Sequence, residues 1–221
     1  MKKIVSAILL LVLVVSLASC GASAYEKFTE AAVNDKVTVE MYVQAHQSWW
    51  DNKITVYAAD KDGAYFLYEM ACSEADAAKL TPGTKIKVTG DKAEYKGEIE
   101  IMNATFEFVD TEDTYIATAV DVTALLGTDA LIEKMNQLCV FKGLTVVSVV
   151  YKGDARGDDI YLKLTDGTNE YDFCVERYLT DANTDVYKAV EALKAGDKVD
   201  VEGFLYWYDG PNPHVTKVTK K

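Results

Sequence analysis

A turn-and-strand phrase occurs twice in this chain. Leu80-Thr81-Pro82-Gly83-Thr84-Lys85-Ile86-Lys87-Val88-Thr89-Gly90 is echoed by Leu193-Lys194-Ala195-Gly196-Asp197-Lys198-Val199-Asp200-Val201-Glu202-Gly203. Each copy has a glycine, then apolar residues alternating with polar ones, then a second glycine seven positions after the first. Period-two alternation is the mark of a strand with one face on a core. Its recurrence says that one supersecondary unit is built twice. Upstream, 53–60 (KITVYAAD) parallels 159–166 (DIYLKLTD), and 65–72 parallels 171–175. There the register stays open between matching Tyr68 to Tyr171 and Cys72 to Cys174. A slip of one residue exchanges strand faces.

Each repeat reads as five strands with a helical connection after the third. In the first, strands are predicted over 37–44, 53–59, 65–72, 84–93 and 98–108, with the connection at 74–79. In the second they fall at 139–151, 159–165, 170–176, 198–208 and 214–218. The connection there is 185–194, with Val186, Val190 and Leu193 on one helical face. Tyr95-Lys96-Gly97 and 209–213 (DGPNP) are turns joining strands four and five. Between the repeats, 115–122 alternates as a further strand would. Segments 121–127 and 129–137 have helical patterning, with Thr128 or Asp129 as cap and Leu131, Ile132 and Met135 needing burial.

The phrase L-x-x-G-[DT]-K-[IV]-x-V-x-G, followed by an aromatic strand, resembles the fourth strand of bacterial OB domains. The resemblance implies a five-stranded Greek-key barrel. The expected fold is therefore mainly β: two tandem five-stranded OB-like barrels with short helical connections. The rival is a single sandwich of about ten strands; the repeat and its two helical segments favour barrels. The expected division is 1–19 signal peptide, 20–24 tether, 25–109 first OB-like domain, 110–138 ordered connector and 139–221 second OB-like domain.

The chain opens MKKIVSAILLLVLVVSLASC. Lys2 and Lys3 precede an apolar run too short to span a bilayer comfortably, and small residues precede Cys20. Leu17-Ala18-Ser19-Cys20 resembles the lipobox of bacterial lipoproteins, which implies lipid on Cys20 as the new N-terminus. Two or three acyl chains anchor stably. The whole is similar to exported bacterial lipoproteins with OB-fold domains, and the expected location is the outer face of a membrane.

The net charge of −12 becomes −14 when 1–19 are removed. Such a surface repels phosphate backbones, so nucleic acid is not expected as a partner. A glycan, a peptide or an envelope protein is. Cys72, Cys139 and Cys174 are an odd set in apolar strand-like runs, read as buried hydrophobes, with a Cys139–Cys174 bridge left open. The only histidines are His46 and His214. No CxxC or HExxH occurs, and neither metal nor cofactor is expected.

OB barrels that bind usually do so across strands two and three and the flanking one–two and four–five loops. That places Trp49 and Trp50 in the one–two loop, Tyr57 on strand two, Tyr161 as its counterpart and Trp207 by the second four–five loop. These five are the candidate ligand-binding residues. The plainer alternative is that one Trp caps the barrel, the other packs on the neighbouring domain, and the tyrosines pack across strands. The 154–159 loop (DARGDD) lacks EF-hand spacing, and its Arg156-Gly157-Asp158 is taken as chance. No nucleophile–base motif is recognisable, so no enzyme is expected. The expected function is a non-enzymatic, lipid-anchored extracytoplasmic binding module. A structural or assembly subunit of a cell-envelope complex is the alternative.

Overall fold

The computed structural model describes residues 22–221; the expected signal peptide and the expected lipidation at Cys20 lie outside them. Helix α1 (Ala24–Glu30) leads into β1 (Lys36–His46), β2 (Lys53–Ala59), β3 (Ala64–Ala71), a single turn α2 (Glu74–Ala77), β4 (Lys85–Tyr95) and β5 (Glu98–Phe108). These five strands close a barrel in the order β1-β2-β3-β5-β4, with β1 pairing back on β4. Val37, Val39, Met41 and Val43 alternate into its core, as period two requires.

A second set follows: β6 (Val120–Asp121), β7 (Leu138–Tyr151), β8 (Ile160–Thr165), β9 (Glu170–Val175), α3 (Asp185–Glu191), β10 (Lys198–Phe204) and β11 (His214–Lys220). The order β7-β8-β9-β11-β10 repeats that of the first barrel, and β10 pairs with β7 to close it. The parallel closure of third on fifth strand recurs too, Leu67 facing Ile101 and Cys174 facing His214. Two OB-like barrels in tandem, not one sandwich, are the architecture.

The repeat's register is settled by a matched clasp. Asp60 Oδ1 accepts the N–H groups of Asp62 and Gly63, closing the β2–β3 turn, while Oδ2 accepts the Tyr65 hydroxyl at 2.8 Å. Asp166 Oδ1 accepts from Thr168 and Asn169, and Oδ2 accepts the Tyr171 hydroxyl at 2.7 Å. Tyr65 is thus the counterpart of Tyr171, and neither pairing left open by the sequence holds. The turn is an Asx turn, and the tyrosine five residues on locks its aspartate.

The connector departs from expectation. Only Val120 and Asp121 pair as a strand, parallel to the start of β7. The segment before them spends its polar groups on one side chain: Gln44 Nε2 donates to the Tyr115 carbonyl, and Gln44 Oε1 accepts the Ala117 N–H. The helical patterns collapse to 3₁₀ turns at Thr123–Leu125 and Asp129–Lys134, separated by Gly127 at φ 73°. Leu131 is buried as expected, but Ile132 is 45% exposed: adjacent residues stand about 120° apart around a 3₁₀ axis, so with Leu131 facing in Ile132 turns out.

α1 is fixed at both ends. Ser23 and Glu26 form a capping box. The Lys92 ammonium, buried on β4, donates to the carbonyls of Phe28, Thr29 and Ala31 at the other end, where the helix leaves acceptors free.

Candidate functional site

The one–two loop of the first barrel ends in a two-residue turn. Trp50 and Lys53 exchange backbone hydrogen bonds, and Asp51 and Asn52 between them have φ of 47° and 59°. Two left-handed residues in a tight hairpin define a type I′ turn. Its twist sends the two tryptophans opposite ways. Trp49 packs on the first core and donates its indole N–H to the Cys72 carbonyl at 2.9 Å. Trp50 stands 68% exposed.

Across from it, β3 carries a bulge. Leu67 and Met70 both face inward although they are three residues apart. Tyr68 and Glu69 take up the extra residue opposite Thr55, where the pairing with β2 shifts. Glu69 sits at φ 45°, and its N–H donates to Thr55 Oγ1. A non-glycine held left-handed costs of order 1 kcal/mol and re-aims its neighbour. Here it turns Tyr68 outward, 39% exposed.

The third wall comes from the second barrel. Past β9, the Glu176 carboxylate accepts the N–H groups of Tyr178 and Leu179. The Tyr178 carbonyl accepts both the N–H and the hydroxyl of Ser48. Arg177 lies over the Tyr178 ring, 4.9 Å from its centre, leaving the ring 54% exposed. Trp50, Tyr68 and Tyr178 thus surround a cleft of about 340 Å³, floored by Ile54 and Thr55. Lys53 and Glu69 pair across its rim at 2.7 Å, and this bond holds the ammonium pKa above its usual value.

Of the candidates from sequence, Trp50 alone lines this cleft. Tyr57, expected on an outer face beside it, is completely buried. That expectation is corrected: the second barrel covers this face of β2, and Tyr57 stacks on Phe204 with ring centres 4.3 Å apart and planes 6° from parallel. Tyr161 is exposed on β8, apart from the cleft lining. Trp207 lies at the barrel boundary, its indole packed against Gly97. Tyr68 and Tyr178 line the cleft without standing among the candidates from sequence. Leu67 and Met70, both apolar at odd spacing, were the readable signal for the bulge; nothing local marks Tyr178.

The two four–five loops, usual binding elements of such barrels, dock on each other. Asp209 N–H donates to the Lys96 carbonyl, the Lys96 ammonium pairs with Asp209 at 2.9 Å, and Tyr95 meets Tyr208 edge-on. Other motifs resolve into structure. Arg156 pairs with Glu191 at 2.7 Å, and Gly157 donates to the Tyr187 hydroxyl. Asp159 accepts from Lys152 and from the Arg177 N–H. Cys72, Cys139 and Cys174 are buried free thiols, and burial pushes Cys139 up to about 12. Among the described residues no three His, Cys, Asp or Glu side chains gather as metal ligands, and no helix is long and apolar enough to cross a membrane.

No family model matches the chain, and no curated protein does. Solved structures resemble it distantly. The p204 HINb domain matches at TM-score 0.39 and 14% identity, over 86% of this chain and all of that one. A murine DNA binding protein bound with double-stranded DNA matches at 0.39 and 12%, over 83% and 96%. The p202 HIN1 domain in complex with a 12-mer duplex matches at 0.38 and 12%, over 90% and 100%. Two of these three were solved on double-stranded DNA. The expectation that nucleic acid is not a partner is corrected on that finding. At TM-scores below 0.5 the likeness carries no ligand over to this chain.

Proposed function

We propose that the chain is a non-catalytic binding module, held on the outer face of a membrane by lipid on Cys20, whose ligand stacks a ring on Trp50. The observation that carries the reading is the exposure of Trp50 in a cleft walled by Tyr68 and by Tyr178 of the other barrel. A large aromatic held in water by a tight turn loses the burial that usually stabilises it, and ring-to-ring contact with a ligand restores it. The aromatic faces come from elements that backbone hydrogen bonds already fix, so little ordering cost falls on binding.

Intrinsic fluorescence titrated with oligosaccharides, peptides and single- and double-stranded oligonucleotides tests the cleft. Saturable quenching by one class, lost in both Trp50→Ala and Tyr178→Ala, is the expected result. Silence from every class, or quenching that both variants retain, would sink the reading. The anchor is tested separately by Cys20→Ala, which should release the protein from membranes; retention there refutes the lipid.

A further inference from the structure

The outer face of β5 carries two acids, Glu98 and Glu100, both buried. Glu98 Oε2 accepts the Trp207 N–H at 2.8 Å. Its Oε1 is buried with no hydrogen-bond partner. Asn136 of the connector neighbours this carboxyl. The Asn136 amide nitrogen is committed to the Ile99 carbonyl at 3.1 Å, and its Oδ1 is also buried and unpartnered. Two neighbouring residues thus each bury one orphaned acceptor, and an orphaned buried polar atom is costly. A proton between them satisfies both.

We infer that Glu98 is a neutral carboxylic acid at physiological pH, its Oε1–H donating to Asn136 Oδ1 and so pinning the first barrel to the connector and the second barrel through one proton. The amide orientation supports this. Exchanging Asn136 oxygen and nitrogen would set an acceptor against the Ile99 carbonyl.

The surroundings offer the ionised form little. On β5 the nearest acid is Glu100, which burial pushes up to about 7. From the other elements Tyr57 and Tyr206 face the group, both with hydroxyls raised by burial and neutral. The nearest cation along the chain, Lys96, is turned out to Asp209. Met135 presents sulfur, to the Ile99 N–H. Burial accordingly pushes Glu98 up to about 8, outweighing the Trp207 N–H and the amide N–H side of Asn136, which favour the ionised form; a proton given to Asn136 Oδ1 acts in the same upward direction as burial. The folded value exceeds the unfolded one, so the native state holds the extra proton. Stability from this group is full below about pH 4.5 and drains away as pH rises toward 8.

Glu98→Gln mimics the neutral acid: its amide donates to Asn136 Oδ1 and its oxygen accepts from Trp207. Thermal midpoints of the full chain, followed from pH 6 to 9, should fall for wild type. The Gln variant should fall less, with the wild-type advantage at low pH reversed by pH 9. The infrared difference between wild type and Glu98→Gln at pH 6.5 should show the carbonyl band of an un-ionised carboxyl, bleaching as pH passes 8; Glu100→Gln should leave that band in place. A Gln variant less stable than wild type throughout, together with no such band at pH 6.5, would overturn the inference. If Gln fails to fold, the wild-type band and its loss with pH decide alone.

Discussion

The Tyr57 hydroxyl and His214 Nδ1 share a hydrogen bond of 2.8 Å across the boundary of the two barrels, both side chains buried. Around it Phe66 leans on Tyr206, and Tyr206 stacks on the His214 ring at 4.5 Å. Tyr57→Phe leaves a buried imidazole nitrogen without its partner. The expected loss is about 1–3 kcal/mol, read from denaturant midpoints, with the denaturant slope unchanged.

His214 is itself a pH probe. Burial pushes its pKa down to about 4, so the unfolded chain binds the proton first. Its contribution is full above about 6.5 and is lost as pH falls toward 4, at roughly 1.4 kcal/mol per pH unit at most. The stability gap between wild type and His214→Phe should therefore narrow across that window. A gap that stays constant with pH would show that the ring is not held neutral.

Phe204 is the one side chain of β10 stacked flat on Tyr57. Phe204→Ala should cost about 3–5 kcal/mol. It should also split the unfolding transition, because the lost ring belongs to the boundary and not to either barrel core.

Gly97 occupies φ 87°, and a Cβ there would lie 2.8 Å from Trp207 Cδ1. Gly97→Ala combines a left-handed penalty with a push on the indole. A loss of about 1 kcal/mol or more follows, visible in the melting curve and in a shifted Trp emission. Gly167, also left-handed but with open space around it, is the control for the backbone part alone.

Lys92→Met removes the three donors that seat α1. Amide exchange in Ala24–Glu30 should rise well before global unfolding, while the strands of the first barrel keep their protection. Equal acceleration everywhere would deny Lys92 a local role.

Much of this was legible. β2 and β5 fall at their expected positions because alternation and turn residues act within a few neighbours. What stayed hidden depends on the other barrel. Tyr57 and Ala59 sit on the face of β2 that an isolated barrel leaves wet, yet every residue from Ile54 to Ala59 is buried. Alternation along a strand says which residues share a face, not what covers it. Tyr178 enters the cleft through a carbonyl that Ser48, far away in sequence, holds. β10 stops at Phe204, short of the expected 208. Tyr206 N–H turns back to the Phe204 carbonyl, and Trp207 pairs with Pro211, a local reversal that the aromatic run conceals.

The paired clasps of Asp60 with Tyr65 and Asp166 with Tyr171 give the molecule its own calibration. The same two groups make the same contact at nearly the same length, once with the ring fully enclosed and once with it partly wet. Removing each hydroxyl in turn compares what enclosure adds to a single hydrogen bond, with the Asx-turn bonding pattern and the strand order shared by the two copies.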